Sequence, residues 1–149
     1  MSRGLGDVYK RQEKDPGFLK GRRIMLVEDN ELNREIAYEL LSESGLIVDV
    51  AENGQDAIKL LGTRPENYYE LIFMDIQMPV MNGYEATANI RAGKSDYWKN
   101  IPVIAMTANV FQEDESRAAE CGMSDYVTKP IDMNVIYSVL EKWLRGQKG

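Results

Sequence analysis

Three carboxylates stand at the ends of apolar runs: Glu28 and Asp29 after Ile24-Met25-Leu26-Val27, and Asp75 after Leu71-Ile72-Phe73-Met74. Runs this apolar suit buried strands of a parallel sheet, and in open α/β sheets ligands bind beyond the carboxyl ends of the strands. Three negative charges gathered there repel one another unless a cation sits among them or one acid keeps its proton. Two further strand ends bring complementary groups, Thr107 with Ala108 and Lys129 with Pro130. Transfer of a phosphoryl group needs in-line positioning, a cation over the equatorial oxygens and fixed donors aimed at them. The acids can hold a divalent ion and Lys129 can supply an ammonium. The Thr107 hydroxyl, with neighbouring backbone N–H groups, can complete the cradle.

Each residue taken alone has a plainer account. Asp29 could be a helix N-cap, Asp75 the cap of a turn after a buried strand, and Thr107 a structural hydroxyl near a helix start. A single lysine is usually a solvated charge, Pro130 could open the last helix in trans, and Tyr126 could be a static half-buried aromatic. Cys121 reads as a small packing residue before a helix-stopping glycine. The functional reading rests on joint placement, because these independent accounts would have to coincide in one crevice.

The 149 residues suffice for one domain with a real core. With 24 acidic against 18 basic residues the formal charge is −6, which repels phosphate backbones and anionic lipid. Neither nucleic acid nor a membrane is therefore an expected partner of this chain. One cysteine cannot make an internal disulfide, and without histidine the usual zinc ligand sets are missing. Hard oxygen ligands favour Mg2+, or Mn2+, instead. No apolar stretch is long enough to span a bilayer and no signal-peptide core is present, so the expected location is cytoplasmic, with any membrane tether lying upstream.

The elements that must position these groups alternate along the chain. Residues 1–21, rich in glycine and charge without a sustained period, read as a disordered tail. Within it Asp7 to Gln12 resembles a translated sequencing-library adapter, which implies that authentic upstream sequence is missing. After the first strand, Leu32, Ile36, Ala37, Leu40 and Leu41 keep helical spacing, with Asp29 or Asn30 as N-cap and Gly45 just past the end. Ile47 to Ala51 is a second strand. Residues 54–61 form a short helix with Ala57, Ile58 and Leu61 inward, and 62–70 a loop. Leu71 to Met74 is the third strand, followed by a turn with Pro79, Asn82 and Gly83 and a helix from Tyr84 to Arg91. A fourth strand spans Ile101 to Met106, a helix Val110 to Cys121, and a fifth strand Asp125 to Val127. Val135, Ile136, Val139, Leu140, Trp143 and Leu144 line one face of a last helix. Five βα units imply a parallel sheet covered on both faces, with right-handed crossovers.

Four segments carry a family resemblance: Val27-Glu28-Asp29-Asn30, the run from Met74-Asp75-Ile76-Gln77-Met78-Pro79 to Val80-Met81-Asn82-Gly83, Met106-Thr107-Ala108, and Tyr126-Val127-Thr128-Lys129-Pro130. In this order and spacing they resemble the receiver domain of two-component response regulators, from about Arg22 to Leu144, with 22–146 as the domain. Their wording is most similar to the C-terminal receivers of hybrid sensor histidine kinases. The resemblance implies a doubly wound, flavodoxin-like α/β fold with a five-stranded parallel sheet of order 2-1-3-4-5. It implies that Asp75 is the phosphoacceptor, taking a phosphoryl group from phosphohistidine of a histidine kinase or histidine phosphotransfer domain. Asp29, Asp75 and the backbone carbonyl of Gln77 would ligate Mg2+, with Glu28 acting mainly through a bound water. Lys129, fixed by a cis bond to Pro130, would pair with the phosphoryl group, and Ala108 would help to bind it. Thr107 would move toward that group and Tyr126 would swing inward. The altered face would be the fourth helix, fifth strand and fifth helix, and a phosphorylation-dependent homodimer is a further expectation.

Departures from the family pattern are few. Asn82 stands where aspartate is common, Ile76 follows the acceptor, and Gln77 and Asn109 occupy positions that tune phosphoryl lifetime in this family. A receiver turns over no free substrate beyond its own phosphorylation and dephosphorylation. Three rivals remain. One is a fragment of a hybrid histidine kinase whose catalytic part is missing. Another is an aspartyl-phosphate phosphohydrolase, which would want a second aspartate where Gln77 stands. The third is a degenerate receiver used only as an interaction module.

Overall fold

A sheet whose central strands are apolar on both faces requires cover on both sides, and the chain supplies it. The computed structural model describes residues 17–78, 81–93, 95–108 and 112–145. In order these form β1 (Arg23–Val27), α1 (Glu31–Glu43), β2 (Ile47–Ala51), α2 (Gly54–Thr63), β3 (Leu71–Asp75) and α3 (Gly83–Arg91). A single helical turn, Asp96–Asn100, precedes β4 (Val103–Thr107), α4 (Gln112–Cys121), β5 (Asp125–Thr128) and α5 (Met133–Leu140). A π-helical turn, Glu141–Arg145, continues α5. All pairings are parallel and the order is β2-β1-β3-β4-β5, as the family resemblance implies.

Period-two alternation sorts the core into two layers. Ile24, Leu26, Leu71, Phe73, Ile104 and Met106 face Ala37 and Leu41 of α1 and Ile136 and Leu140 of α5. Met25, Val27, Ile72, Met74, Val103 and Ala105 face Ala57 and Leu61 of α2, Ala86 and Ile90 of α3, and Ala118 of α4. Burying β1, β3 and β4 on both faces removes any polar alternation from them, which is why they read as unbroken apolar runs. Gly45 follows α1 with φ +100° and Gly122 follows α4 with φ +103°, the left-handed conformation that ends helices.

Several boundaries differ from the sequence expectation. The expected tail ends before residue 21: Phe18 and Leu19 are buried in the α1/α5 layer. Phe18 packs edge-on against Tyr137, with ring centroids 6.1 Å apart, and its carbonyl accepts from Arg22 Nε at 2.8 Å. Residues 1–16, including the adapter-like stretch, lie outside the described residues. α2 runs two residues further than expected, to Thr63, and Asp75 is the last residue of β3 rather than the first beyond it. Ile101 caps the single turn at 96–100 instead of opening β4. Five residues are too few for a periodic signal, but Ser95 caps that turn by accepting from Trp98 N at 3.2 Å.

On α1, Leu32 and Ile36 are 64% and 50% exposed, so only Ala37 and Leu41 of the apolar stripe reach the sheet. On α5, Val135 is exposed and Tyr137 takes an inward place, because the buried stripe of 3.6-residue period passes through Ile136, Tyr137 and Leu140. Cys121 is half-buried, its Sγ 3.3 Å from the Ala118 carbonyl, and burial pushes the thiol pKa up, as suits a packing residue.

Candidate functional site

Register brings the acids together. Val27 of β1 pairs with Met74 of β3, so Glu28 and Asp75 leave adjacent strands at the same level. Asp75 pairs with Met106 of β4, and Thr107 pairs with Thr128 of β5, which sets Lys129 at the same rim. The Lys129 N–H donates to the Thr107 carbonyl at 2.8 Å, closing that corner. Carboxylate oxygens of Glu28, Asp29 and Asp75 all lie within 4.8 Å of one another. Glu28 and Asp75 are buried and Asp29 is exposed. The choice of N-cap for α1 is resolved: the Asn30 side chain accepts from Asn33 N at 2.9 Å, leaving the Asp29 carboxylate to the cluster.

Lys129 Nζ bridges the two buried acids, 3.1 Å from Glu28 Oε1 and 3.0 Å from Asp75 Oδ1. Glu28 Oε2 accepts from Asn30 N at 3.2 Å, and Asp75 Oδ1 accepts from Gln77 N at 3.3 Å. Burial pushes the Asp75 carboxyl up to about 7; the Lys129 hydrogen bond opposes this and the Glu28 charge adds to it. For Lys129, burial disfavours the charge, but hydrogen bonds and attraction from Asp75 and Glu28 outweigh it and raise its pKa above the ordinary lysine value. One ammonium against three carboxylates leaves the cluster short of positive charge. Hard oxygen donors this close fit a divalent cation of the Mg2+ type.

The remaining expected residues lie at or near the same strand ends. Thr107 is half-buried at the end of β4 and Ala108 beside it is exposed. Tyr126 pairs with Ala105 and so shares a sheet face with Thr107; it is 39% exposed. The Gln77 side chain is exposed. The Lys129–Pro130 peptide is cis, so Pro130 does not open a helix in trans. Asn82 is the N-cap of α3 in a reciprocal box with Glu85, at 2.9 and 3.0 Å, outside the acid pocket. Pro79, Val80, Asn109 and Val110 lie outside the described residues.

Two contributors were not read from the sequence. Gly83 donates its N–H to the Ile76 carbonyl at 2.9 Å, and a Cβ there would meet the Asp75 carbonyl oxygen and approach Ile76 Cα to 2.9 Å. The Asn82-Gly83 pair is the available signal, which by itself indicates only a turn. Arg34 touches the backbone of the acidic pair, and its place on a polar helix face gave no such signal.

Comparison with known proteins identifies the family to which this fold belongs. Residues 24–141 match the response regulator receiver domain family. The chain is 35% identical over 139 residues to hybrid signal transduction histidine kinase L of Dictyostelium discoideum, covering 93% of this chain and 8% of that protein. It is 35% identical over 172 residues to histidine kinase 3 of Arabidopsis thaliana, covering 98% of this chain and 16% of that protein. Thus it spans less than a fifth of either relative's length. Among solved structures, the receiver domain of a sensor histidine kinase from Pseudomonas aeruginosa superposes with TM-score 0.74 at 34% identity, covering 84% of this chain and 98% of that one. That structure has a magnesium ion coordinated in its active-site cleft. A receiver domain from Saccharomyces cerevisiae, crystallised with a histidine phosphotransfer protein, superposes with TM-score 0.75 at 29% identity, covering 87% of this chain and 92% of that one.

The chain belongs to the response regulator receiver domain family. It is a receiver domain of two-component signalling, homologous to the receivers of hybrid histidine kinases. No helix among the described residues is long and apolar enough to cross a membrane.

Proposed function

We propose that Asp75 is the phosphoacceptor of a phosphorelay and that Mg2+ is required for the transfer. The observation that carries this reading is the convergence of Glu28, Asp29, Asp75 and Lys129 from three separate strand ends. A carboxylate oxygen of Asp75 attacks phosphorus as the nitrogen–phosphorus bond of a partner's phosphohistidine breaks, and the imidazole leaves with that bond's electron pair. Asp29, Asp75 and the Gln77 carbonyl would hold Mg2+, with Glu28 in support. The bound ion would neutralise charge on the equatorial oxygens. Lys129 would turn from the carboxylates toward a phosphoryl oxygen, with Thr107 and the backbone at Ala108 completing the cradle.

The partner is a histidine phosphotransfer domain or histidine kinase, a reading supported by the yeast complex and the kinase relatives. Leu32 and Ile36 of α1 are exposed, and Ile36 lines a groove of about 260 Å³ with Met106, Pro130 and Ile131 beside Lys129. An apolar surface next to the acceptor suits a partner helix that presents a histidine. The kinase relatives, only a small part of which this chain covers, favour a role in line with a histidine kinase.

Phosphorylation then acts as an intramolecular ligand that favours one of two pre-existing states. Thr107 closes on the phosphoryl oxygens and Tyr126 moves inward from its exposed position, altering the face of α4, β5 and α5, the same face a phosphorylation-dependent homodimer would use. Beryllofluoride with Mg2+ is expected to shift NMR signals of Thr107, Tyr126 and α4. Shifts confined to residues around Glu28, Asp29 and Asp75 would sink the propagated switch.

A further inference from the structure

The functional reading leaves Arg34 without a role. Arg34 sits on α1 one turn beyond the acidic pair, and its side chain is 17% exposed. Nη1 donates to the main-chain carbonyl of Glu28 at 3.0 Å and lies 3.4 Å from that of Asp29. Nη2 lies 3.9 Å from Glu52 Oε2, just past the end of β2. The Glu28 N–H donates to the Ala51 carbonyl at 3.1 Å, so the guanidinium joins two loops that backbone pairing already brings together. A planar fork can hold two carbonyls and a carboxylate at once, whereas a lysine ammonium is a compact point donor. The fork's contacts with the acidic pair are to the peptide oxygens flanking the two acids, and those oxygens set how the peptide planes turn.

We infer that Arg34 is a positioning residue for the divalent-cation site: it fixes the peptide planes of Glu28 and Asp29 so that their carboxylates face Asp75 before a cation arrives. This rests on the Mg2+ reading above and assigns it a residue that touches neither ion nor phosphoryl group. Charge alone makes the opposite demand. A guanidinium beside three acids competes with a dication, so deleting only its charge would tighten Mg2+ uptake. Orientation makes uptake weaken when the fork is lost, as it does when partners of metal ligands are removed.

The test is calorimetric Mg2+ titration of the full chain as wild type, Arg34→Lys and Arg34→Met, with thermal melts and the Asn30 amide NMR signal recorded without metal. That amide reports loop geometry because it donates to Glu28 Oε2. Arg34→Met is expected to weaken Mg2+ binding about tenfold, the lower end for such partners. Arg34→Lys, which keeps the charge and a single point donor but not the fork, also weakens it by more than about twofold and secures the test if the methionine variant does not fold. Both variants shift the metal-free Asn30 signal. With saturating Mg2+, labelling by acetyl phosphate returns close to the wild-type rate. Folded variants that bind Mg2+ within twofold of wild type, or more tightly, overturn the inference; a wild-type chain that takes up no Mg2+ overturns the functional reading instead.

Discussion

Wild-type protein incubated with acetyl phosphate and Mg2+ is expected to gain the mass of one phosphoryl group, and Asp75→Asn to gain none. Of the three clustered acids, only Asp75 combines burial, an N–H donor from Gln77 and the Lys129 ammonium on one oxygen. Glu28 is also buried, but both of its oxygens are engaged, one by Lys129 and one by Asn30 N. Asp29 is exposed to water, which would hydrolyse an acyl phosphate. An asparagine at 75 keeps the shape and removes the nucleophilic carboxylate, so the whole signal should vanish rather than decline. Intact-mass spectrometry reads the outcome, and labelling that persists in Asp75→Asn would move the acceptor elsewhere.

Replacing Lys129 should produce the second large effect, on stability as well as function. Its ammonium is the cation bridging Glu28 and Asp75, whose side chains are 4% and 3% exposed. In Lys129→Met those acids remain buried without it. Leaving a buried charge uncompensated costs about 3–5 kcal/mol. The expected loss at neutral pH is near the lower bound, about 3 kcal/mol, because Asp75, with its pKa raised to about 7, can take up a proton. Added Mg2+ should recover part of the loss by supplying the missing charge. Urea unfolding with and without Mg2+ measures both quantities, and a variant as stable as wild type in chelator would contradict the electrostatic account.

Much of this was legible because the fold and the chemistry leave signals at the same places. Strands buried on both faces must be apolar throughout, so a carboxylate at the end of such a run announces both where the strand stops and where a ligand binds. Asp75 and the Glu28-Asp29 pair are of this kind. Lys129 and Thr107 became readable only in combination, since either alone is an ordinary surface residue. What escaped the sequence depends on tertiary context. Phe18 and Leu19 are two apolar residues in a charged, glycine-rich stretch, and only their burial in the α1/α5 layer, Phe18 edge-on to Tyr137, shows that they belong to the core. Leu32 and Ile36 keep helical spacing with Ala37 and Leu41, yet they remain exposed instead of packing on the sheet, Ile36 in the groove beside Glu28 and Lys129. Periodicity alone cannot distinguish a face made for the core from one left open to a partner. Arg34 left no local signal, because its partners are peptide oxygens, which every residue has.

Calorimetric titration of the metal-free wild type with Mg2+ probes the shared premise that these acids form one cation site. One ion should bind per chain. With the Asp75 carboxyl raised to about 7, the proton is bound below that pH and must leave before the ion can be held. Affinity should therefore fall by about tenfold for each pH unit below about 7, with protons released on binding, and should level off above it. Absence of any Mg2+ uptake on either side of that pH would refute the site and the phosphoryl chemistry built upon it.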